Sequence, residues 1–251
     1  GEEMTPPRYG RVFVTLAETA ESNPTAASTA IEILEKKTCV TILPEFVNPQ
    51  TYQTRISGDV QWEPLKTKLS RDSLESLISQ NLYNTWPSRF EQEIDANRIA
   101  NVINSTETES LSATGSDIYI SLSTNTKVSQ TGIVNGVAFK NKCKPNALSS
   151  SEFEAHPSLD VGDNLIYLTV LDSEPIGADG GQRIRARYIS GLIVDLGVFG
   201  KFYPETGEIE FHNRALANEP FRVTVEPASN NQTIEFKENM VSNYIFDISL
   251  S

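Results

Sequence analysis

The sequence predicts an α+β protein. A split β-α-β sheet with helices on one side and one extra helix is expected over residues 8–124, and an all-β sandwich or open barrel over residues 125–251. Three observations predict this. Residues 52–62 alternate with the period of a half-buried strand: Tyr52, Thr54, Ile56, Val60 and Trp62 fall on one face, and Gln53, Arg55, Ser57, Asp59 and Gln61 on the other. Two stretches between residues 70 and 103 place apolar residues at helical spacing instead. Past residue 125 helical periodicity disappears and turn signals recur at short intervals.

In chain order, Arg8–Leu16 reads as the first strand. Asn23 followed by Pro24 starts a helix, because Asn caps free N–H groups and Pro is tolerated at the first helical position. Ala27, Ala30, Ile31 and Leu34 give that helix its stripe, and Lys36 and Lys37 suit the negative end of its dipole. The second strand, Val40–Val47, contains Pro44, which cannot donate to a ladder and so points to a sheet edge or a bulge. Asn48-Pro49-Gln50-Thr51 is a turn signal before the alternating strand. Gly58 interrupts the apolar face of that strand and predicts a bulge or a close packing partner.

Ser70 caps the next helix, whose stripe is Leu74, Leu77, Ile78 and Leu82. Trp86-Pro87 ends it, since the residue before Pro disfavours helical geometry. Ser88 and Glu91 form a capping-box pattern, so the third helix is expected to run on through Ile94, Ile99, Val102 and Ile103. A polar loop, Asn104–Thr114, then leads to a strand over Asp117–Ser123 with Ile118, Ile120 and Leu122 on one face. The order β-α-β-β-α-α-β is that of a ferredoxin-like domain with an added helix.

In the second half Asn135-Gly136 reads as a hairpin turn between Ile133-Val134 and Val137–Phe139. Leu165–Leu171, Arg183–Leu196, Glu208–His212, Phe221–Val225, Thr233–Phe236 and Tyr244–Leu250 read as strands, with Pro204-Glu205-Thr206-Gly207 as a tight turn. Asn141–Gly162 and Ser173–Gln182 are long loops.

The order of several pieces resembles a known family. Tyr9-Gly10-Arg11-Val12-Phe13-Val14 is followed by a helix, by Leu43-Pro44-Glu45-Phe46-Val47-Asn48-Pro49, by a long strand and by Trp62-Glu63-Pro64-Leu65-Lys66-Thr67. Gly200-Lys201-Phe202-Tyr203-Pro204-Glu205-Thr206-Gly207-Glu208-Ile209 comes later. This set resembles the baseplate-J-like proteins of contractile phage tails, above all the C-terminal half of the baseplate wedge protein of T-even-type phages. The resemblance covers most of the chain and rests on the order of the pieces. It implies a structural protein of the virion tail baseplate that passes through the host cytoplasm during assembly. It also implies dimerisation, contacts with other wedge proteins in a ring around the tail hub, and a longer natural protein whose N-terminal part is absent here. No cofactor and no enzymatic activity are expected.

Composition narrows the alternatives. A chain of 251 residues should bury roughly 70–75% of its unfolded surface, so it needs no covalent staples. Cys39 and Cys143 are expected to be two separate reduced thiols. The net charge of −12 argues against nucleic acid and against an anionic membrane surface as partners. No apolar run approaches the ~18 residues of a spanning helix.

Candidate sites are few. His156 and His212, the only two histidines, have no Cys, Asp or Glu at ligand spacing. Asp172 and Asp179, with Gly177, Gly180 and Gly181, make an acidic loop that offers oxygen ligands but lacks the EF-hand pattern. Glu91 with Asp95, and Glu107 with Glu109, read as solvated carboxylates rather than an acid/base pair. Phosphate-binding glycine loops and hydrolase motifs are missing. Lys140, Lys142 and Lys144 alternate, as do Arg183, Arg185 and Arg187, and on a strand each triplet would share one face. Arg183, Arg185 and Arg187 are therefore the candidate partner-binding residues, suited to an acidic surface because each guanidinium can bind a carboxylate through two N–H groups. The plainer reading is a solvated face with carboxylates nearby. The competing functional reading is a virion-associated carbohydrate-binding β module with Tyr188, Phe199, Phe202 and Tyr203 as a sugar platform; a hydrolase with an unrecognised site ranks below it.

Overall fold

Alternation and helical stripes decide the elements of the first half. The computed structural model describes residues 11–14, 24–37, 43–46, 50–87, 92–126, 135–155, 165–175, 180–188, 193–194, 199–212, 219–230, 232–236 and 240–251. Strand β1 (Arg11–Val14), helix α1 (Pro24–Lys37) and β2 (Leu43–Phe46) form a βαβ unit. Its two strands pair in parallel, with Val12 opposite Pro44. β3 (Gln50–Trp62) follows. It buries Tyr52, Thr54, Ile56 and Val60 and turns Thr51, Arg55 and Asp59 outward, as its alternation requires. Gly58 stays in register opposite both Ile118 and Ile248. It is a close-packing position and not a bulge, because a Cβ there would stand 2.8 Å from Ile118 Cδ1.

Helix α2 (Arg71–Thr85) begins at Ser70, whose Oγ accepts the N–H of Ser73 at 3.3 Å. Leu74, Ile78 and Leu82 are fully buried beneath it. Trp86 ends the helix before Pro87, and its indole N–H donates to the Glu93 carbonyl at 3.0 Å. The next helix starts later than expected. Glu93–Ile94 form the short strand β4, and α3 (Ala96–Thr106) opens at Asp95, whose Oδ1 accepts the N–H of Arg98 at 2.8 Å. Asp95 wins because the preceding residues are drawn into a ladder that places Ile94 opposite Ile234. The Ser88–Glu91 capping pattern lies outside the described residues. β5 (Leu111–Ser112) pairs with the end of β3, and β6 (Ile118–Thr126) buries Ile118, Ile120 and Leu122 as expected.

The remaining strands are β7 (Asn135–Ala138), β8 (Ser149–Ser150), β9 (Phe153–Glu154), β10 (Leu165–Val170), β11 (Gln182–Tyr188) and β12 (Ile193–Val194). They are followed by β13 (Gly200–Tyr203), β14 (Glu208–Phe211), β15 (Phe221–Val225), β16 (Ile234–Glu235) and β17 (Met240–Leu250). Two local expectations are corrected. Asn135-Gly136 is no turn but strand, paired with Phe211 and Glu210. Arg183–Leu196 is no single strand: Ala186 lies antiparallel to Val194, so the chain reverses between β11 and β12.

Thirteen of these strands form one sheet in the order β17-β3-β6-β15-β8-β10-β11-β13-β14-β7, with β5, β9 and β12 attached at its sides. All of its pairs are antiparallel except β17 with β3. The split β-α-β order is not the pairing of the described strands. β1 and β2 pair only with each other, and β3 lies between β6 and the C-terminal β17. The sheet thus runs across the boundary expected at residue 124. α2 packs on β17 and against α3, and α3 on β6, which covers the apolar side of this platform.

The other end of the sheet curls back. Cys143 bridges Pro227, Lys144 N–H donates to Glu226 O at 2.9 Å, and Ala228 N–H donates to Lys142 O at 3.0 Å. The segment after β7 therefore meets the segment after β15, and the strands between them enclose a core. Phe139, Ile166, Leu168, Ile184, Phe202, Ile209, Phe211, Phe221 and Val223 fill it. Phe153 stacks on Phe221 with ring centres 4.4 Å apart. Gly200 belongs to this wall because β14 passes too close for any side chain: a Cβ would lie 2.0 Å from the Glu210 carbonyl oxygen. Tyr52 joins the two ends of the molecule, its hydroxyl donating to Ala138 O at 2.6 Å and its ring lying edge-on to Phe139. No helix among the described residues is long and apolar enough to cross a membrane.

Candidate interaction face

The start of β11 is held by a buried amide. Gln182 is fully buried. It accepts from Asn146 N–H at 3.1 Å and donates through Nε2 to Asn146 Oδ1 and to Asp172 O at 2.8 and 3.0 Å. A buried amide satisfied on both of its ends fixes its neighbours, here the positive-φ turn at Asn146 and the strand end at Asp172. The next residue, Arg183, points to the opposite face. Its Nε and Nη2 both bond the Asp172 carboxylate, the shorter contact being 2.7 Å, and its backbone N–H adds a third donor at 2.8 Å. The guanidinium holds the Asp172 carboxyl below the usual carboxylate range, against the opposing effect of its burial.

Beyond Arg183 the row continues as the alternation requires. Register places Arg183 beside Lys201, Arg185 beside Thr169 and Arg187 beside Tyr167, while Ile184 and Ala186 face the core. Arg185 Nε reaches Thr169 Oγ1 only at 3.4 Å. Arg187 is half-buried, and its Nε is shielded from solvent without a hydrogen-bond partner. Among the described residues neither makes an ion pair. Two strands away, Glu210 accepts from Tyr203 Oη and meets His212 Nε2, both at 3.3 Å. The three arginines thus share one face, with Arg183 engaged inside the molecule and Arg185 and Arg187 held between strand neighbours. Sequence reasoning missed Asp172 as the partner of Arg183, since it stands at the far end of β10 and only the β10–β11 pairing brings the two together.

The other candidates separate. Lys142 and Lys144 do not extend a strand row: they pair with Glu205 and Glu226 at 2.8 and 2.9 Å, the solvated arrangement, and Lys140 sits at a positive φ. The acidic-loop reading fails at Asp172, whose carboxylate belongs to Arg183; Asp179 and Gly177 lie outside the described residues. Among the described residues no group of three or more His, Cys, Asp or Glu could hold a metal ion. Asp95 is a helix cap; Glu91, Cys39 and His156 lie outside the described residues. Cys143 is buried, its thiol donating to Asn141 O at 3.2 Å, and burial pushes it up to about 12. Of the proposed sugar platform, Phe199 and Phe202 are fully buried in the enclosed core, so they present no surface.

A cleft of about 420 Å³ went unread in the sequence. Thr51, Gln53, Asn125, Thr126, Arg222 and Asn243 line it, with Gly136 and Val137 on its other side. Its walls are the polar faces of β3, β6, β15 and β17. Alternation marks those faces, but only the strand order places them side by side. No family model matches the sequence, and no curated protein matches it.

Proposed function

We propose that this chain is a structural component of a contractile-tail baseplate, a wedge protein that works by holding neighbouring subunits. Its partners are a second copy of itself and other wedge proteins, its place is the virion tail, and its surfaces bind without transforming a molecule. The first half acts as an assembly platform. The β1–α1–β2 unit and the helix-covered β3–β6 pair are the parts of the split β-α-β expectation on which that reading leans.

The observation that supports it best is the arginine row on β11. Burying a strand-borne row of like charges is costly unless something negative meets it. Among the described residues Asp172 is the carboxylate that meets the row, and it meets Arg183. Arg185 and Arg187 are therefore offered to an acidic surface of a neighbour, which a guanidinium fork recognises through two N–H groups. The test is location. Antibody raised against this chain should decorate the tail end of contractile-tailed particles that encode it. Particles unlabelled at the tail, from lysates that contain the chain, would remove the proposal.

The polar cleft favours the second reading, a carbohydrate-binding module, because hydroxyl and amide groups beside one arginine suit a neutral polyol. A glycan array with clear hits that are lost in Gln53→Ala would move the reading there.

A further inference from the structure

The polar cleft carries one charge, and it is positive. Among the described residues that line it, Arg222 is the charged one, and neither Asp nor Glu joins it. β15 sets it there: Phe221 and Val223 turn into the enclosed core, so Arg222 between them turns outward. Its backbone is fixed. Arg222 N–H donates to Ser151 Oγ at 3.0 Å, its carbonyl accepts from Ser151 N–H at 2.8 Å, and Asn125 of β6 stands beside it. The guanidinium itself makes no ion pair or hydrogen bond among the described residues. The chain has 33 Asp and Glu against 21 Lys and Arg, so a carboxylate partner would have been easy to supply, and none is placed here.

Amides supply the rest of the wall. Pairing puts Asn243 beside Gln53 and Gln53 beside Ser123. The side-chain amides of Gln53, Asn125 and Asn243 have no partner among the described residues. Facing them, β7 offers backbone. Phe139 N–H bonds Gly207 O, so the groups of Gly136, three residues earlier, turn away from β14. β15 and β3 are two strands apart, which sets the backbones of Arg222 and Gln53 at least about 10 Å apart. A ligand that uses both must carry hydroxyls well beyond its charged group. A peptide partner seeks apolar anchors, and among the described lining residues Val137 is the one apolar side chain.

We propose that this cleft binds a saccharide bearing a carboxylate, with Arg222 holding the carboxylate and Gln53 and Asn243 the ring hydroxyls. The proposal rests on the carbohydrate reading of the cleft and goes past it. A neutral polyol satisfies the amides and hydroxyls but leaves the guanidinium without a counter-charge, whereas a carboxylate meets its fork through two N–H groups. The charge is worth roughly tenfold in affinity, the low end for a hydrogen bond to a charged group, because Arg222 is exposed.

The test is a glycan array that carries uronic-acid and sialic-acid glycans beside neutral ones. Calorimetry then compares the tightest acidic glycan with its carboxyl-reduced form, which keeps the ring hydroxyls and loses the charge. Hits should fall on the acidic glycans, and reduction should weaken binding roughly tenfold. Arg222→Gln should melt with the wild type and bind the two forms equally. Arg222→Lys, which keeps the charge without the fork, should fall between. Lys68→Gln, on the exposed turn before α2, removes a positive charge elsewhere and should keep the preference.

Hits on neutral glycans alone, or an acidic preference that survives Arg222→Gln, overturn this inference and leave the carbohydrate reading standing. An array without hits removes both. Competition by the dipeptide acetyl-Glu-Glu-amide as strong as that of the acidic glycan also overturns it, since the site would then belong to a protein partner.

Discussion

Replacing Tyr52 with Phe isolates the contact that ties the β3 platform to the enclosed strands. The residue is 1% exposed, and its hydroxyl donates to Ala138 O at 2.6 Å. Phe139 N–H bonds Gly207 O across the β7–β14 pair, so the carbonyl of Ala138, one residue earlier, points away from β14 toward Tyr52. Tyr52→Phe keeps the ring packed on Phe139 and removes that carbonyl's partner. The expected cost is about 0.5–1.5 kcal/mol at neutral pH, the net contribution of one hydrogen bond whose acceptor is only part-buried. In a chain of this size that is a fall of roughly 2–4 °C in Tm per kcal/mol. A second signature follows from ionisation. Burial pushes the Tyr52 phenol from 10.0 up to about 12. A pKa raised by folding leaves stability intact below the unfolded value and erodes it as pH climbs through the folded one. Wild type should therefore lose about 2–3 kcal/mol between pH 10 and pH 12, a loss that the variant cannot show. Urea denaturation followed by circular dichroism across that range measures both. Other alkaline groups, Cys143 among them, cancel in the difference between the two proteins. Equal stability at neutral pH, or parallel decline of the two proteins at high pH, would refute the reasoning.

Thr54→Val should be neutral or raise stability by up to about 1 kcal/mol, because the Thr54 hydroxyl is buried without a hydrogen-bond partner; a clear loss in urea melts would show that it has one. Gly200→Ala should destabilise by about 2–3 kcal/mol or prevent folding, since its Cβ would meet the Glu210 carbonyl oxygen at 2.0 Å and must push β13 from β14. Asp172→Asn should cost about 1 kcal/mol at neutral pH, a charge-assisted pair discounted because the Arg183 side chain is 47% exposed. Folding lowers the Asp172 pKa, so this contribution is present above the ordinary carboxylate value of 3.8 and is lost as pH falls through the folded one; the gap between variant and wild type should close in acid melts. Arg185→Glu should leave thermal stability within about 0.5 kcal/mol and weaken association with other wedge proteins; unchanged light scattering of the mixture would sink the arginine-row reading.

Local grammar accounts for the elements whose cause lies within a few residues. The alternation of Tyr52 to Trp62 has one solution, a strand with those residues inward. The cap at Ser70, the stripe beneath α2, the break at Trp86-Pro87 and the inward face of Ile118, Ile120 and Leu122 are likewise written in place. At Gly58 the sequence leaves a bulge and a close packing partner both open, and Ile118 decides for the partner. Errors fell where a distant strand outbid a local signal. Asn135-Gly136 has turn chemistry, but pairing with β14 holds it extended. Ile94 fits a helical stripe, but Ile234 draws it into a ladder, and Asp95 then supplies the cap.

Neighbouring positions along the chain thus establish an α+β protein with a helix-covered strand platform, a β-rich second half and a row of three arginines sharing one strand face, because periods of two and of 3.6 residues are local properties. Long-range pairing sets β17 beside β3, closes the β-rich strands through Cys143 and Pro227, and brings Asp172 to Arg183. The physical reason is common to all three. A strand exposes the same donors and acceptors whatever its partner, so its neighbour is chosen by the fit of whole faces brought together from far along the chain, and no local window of the sequence contains both faces.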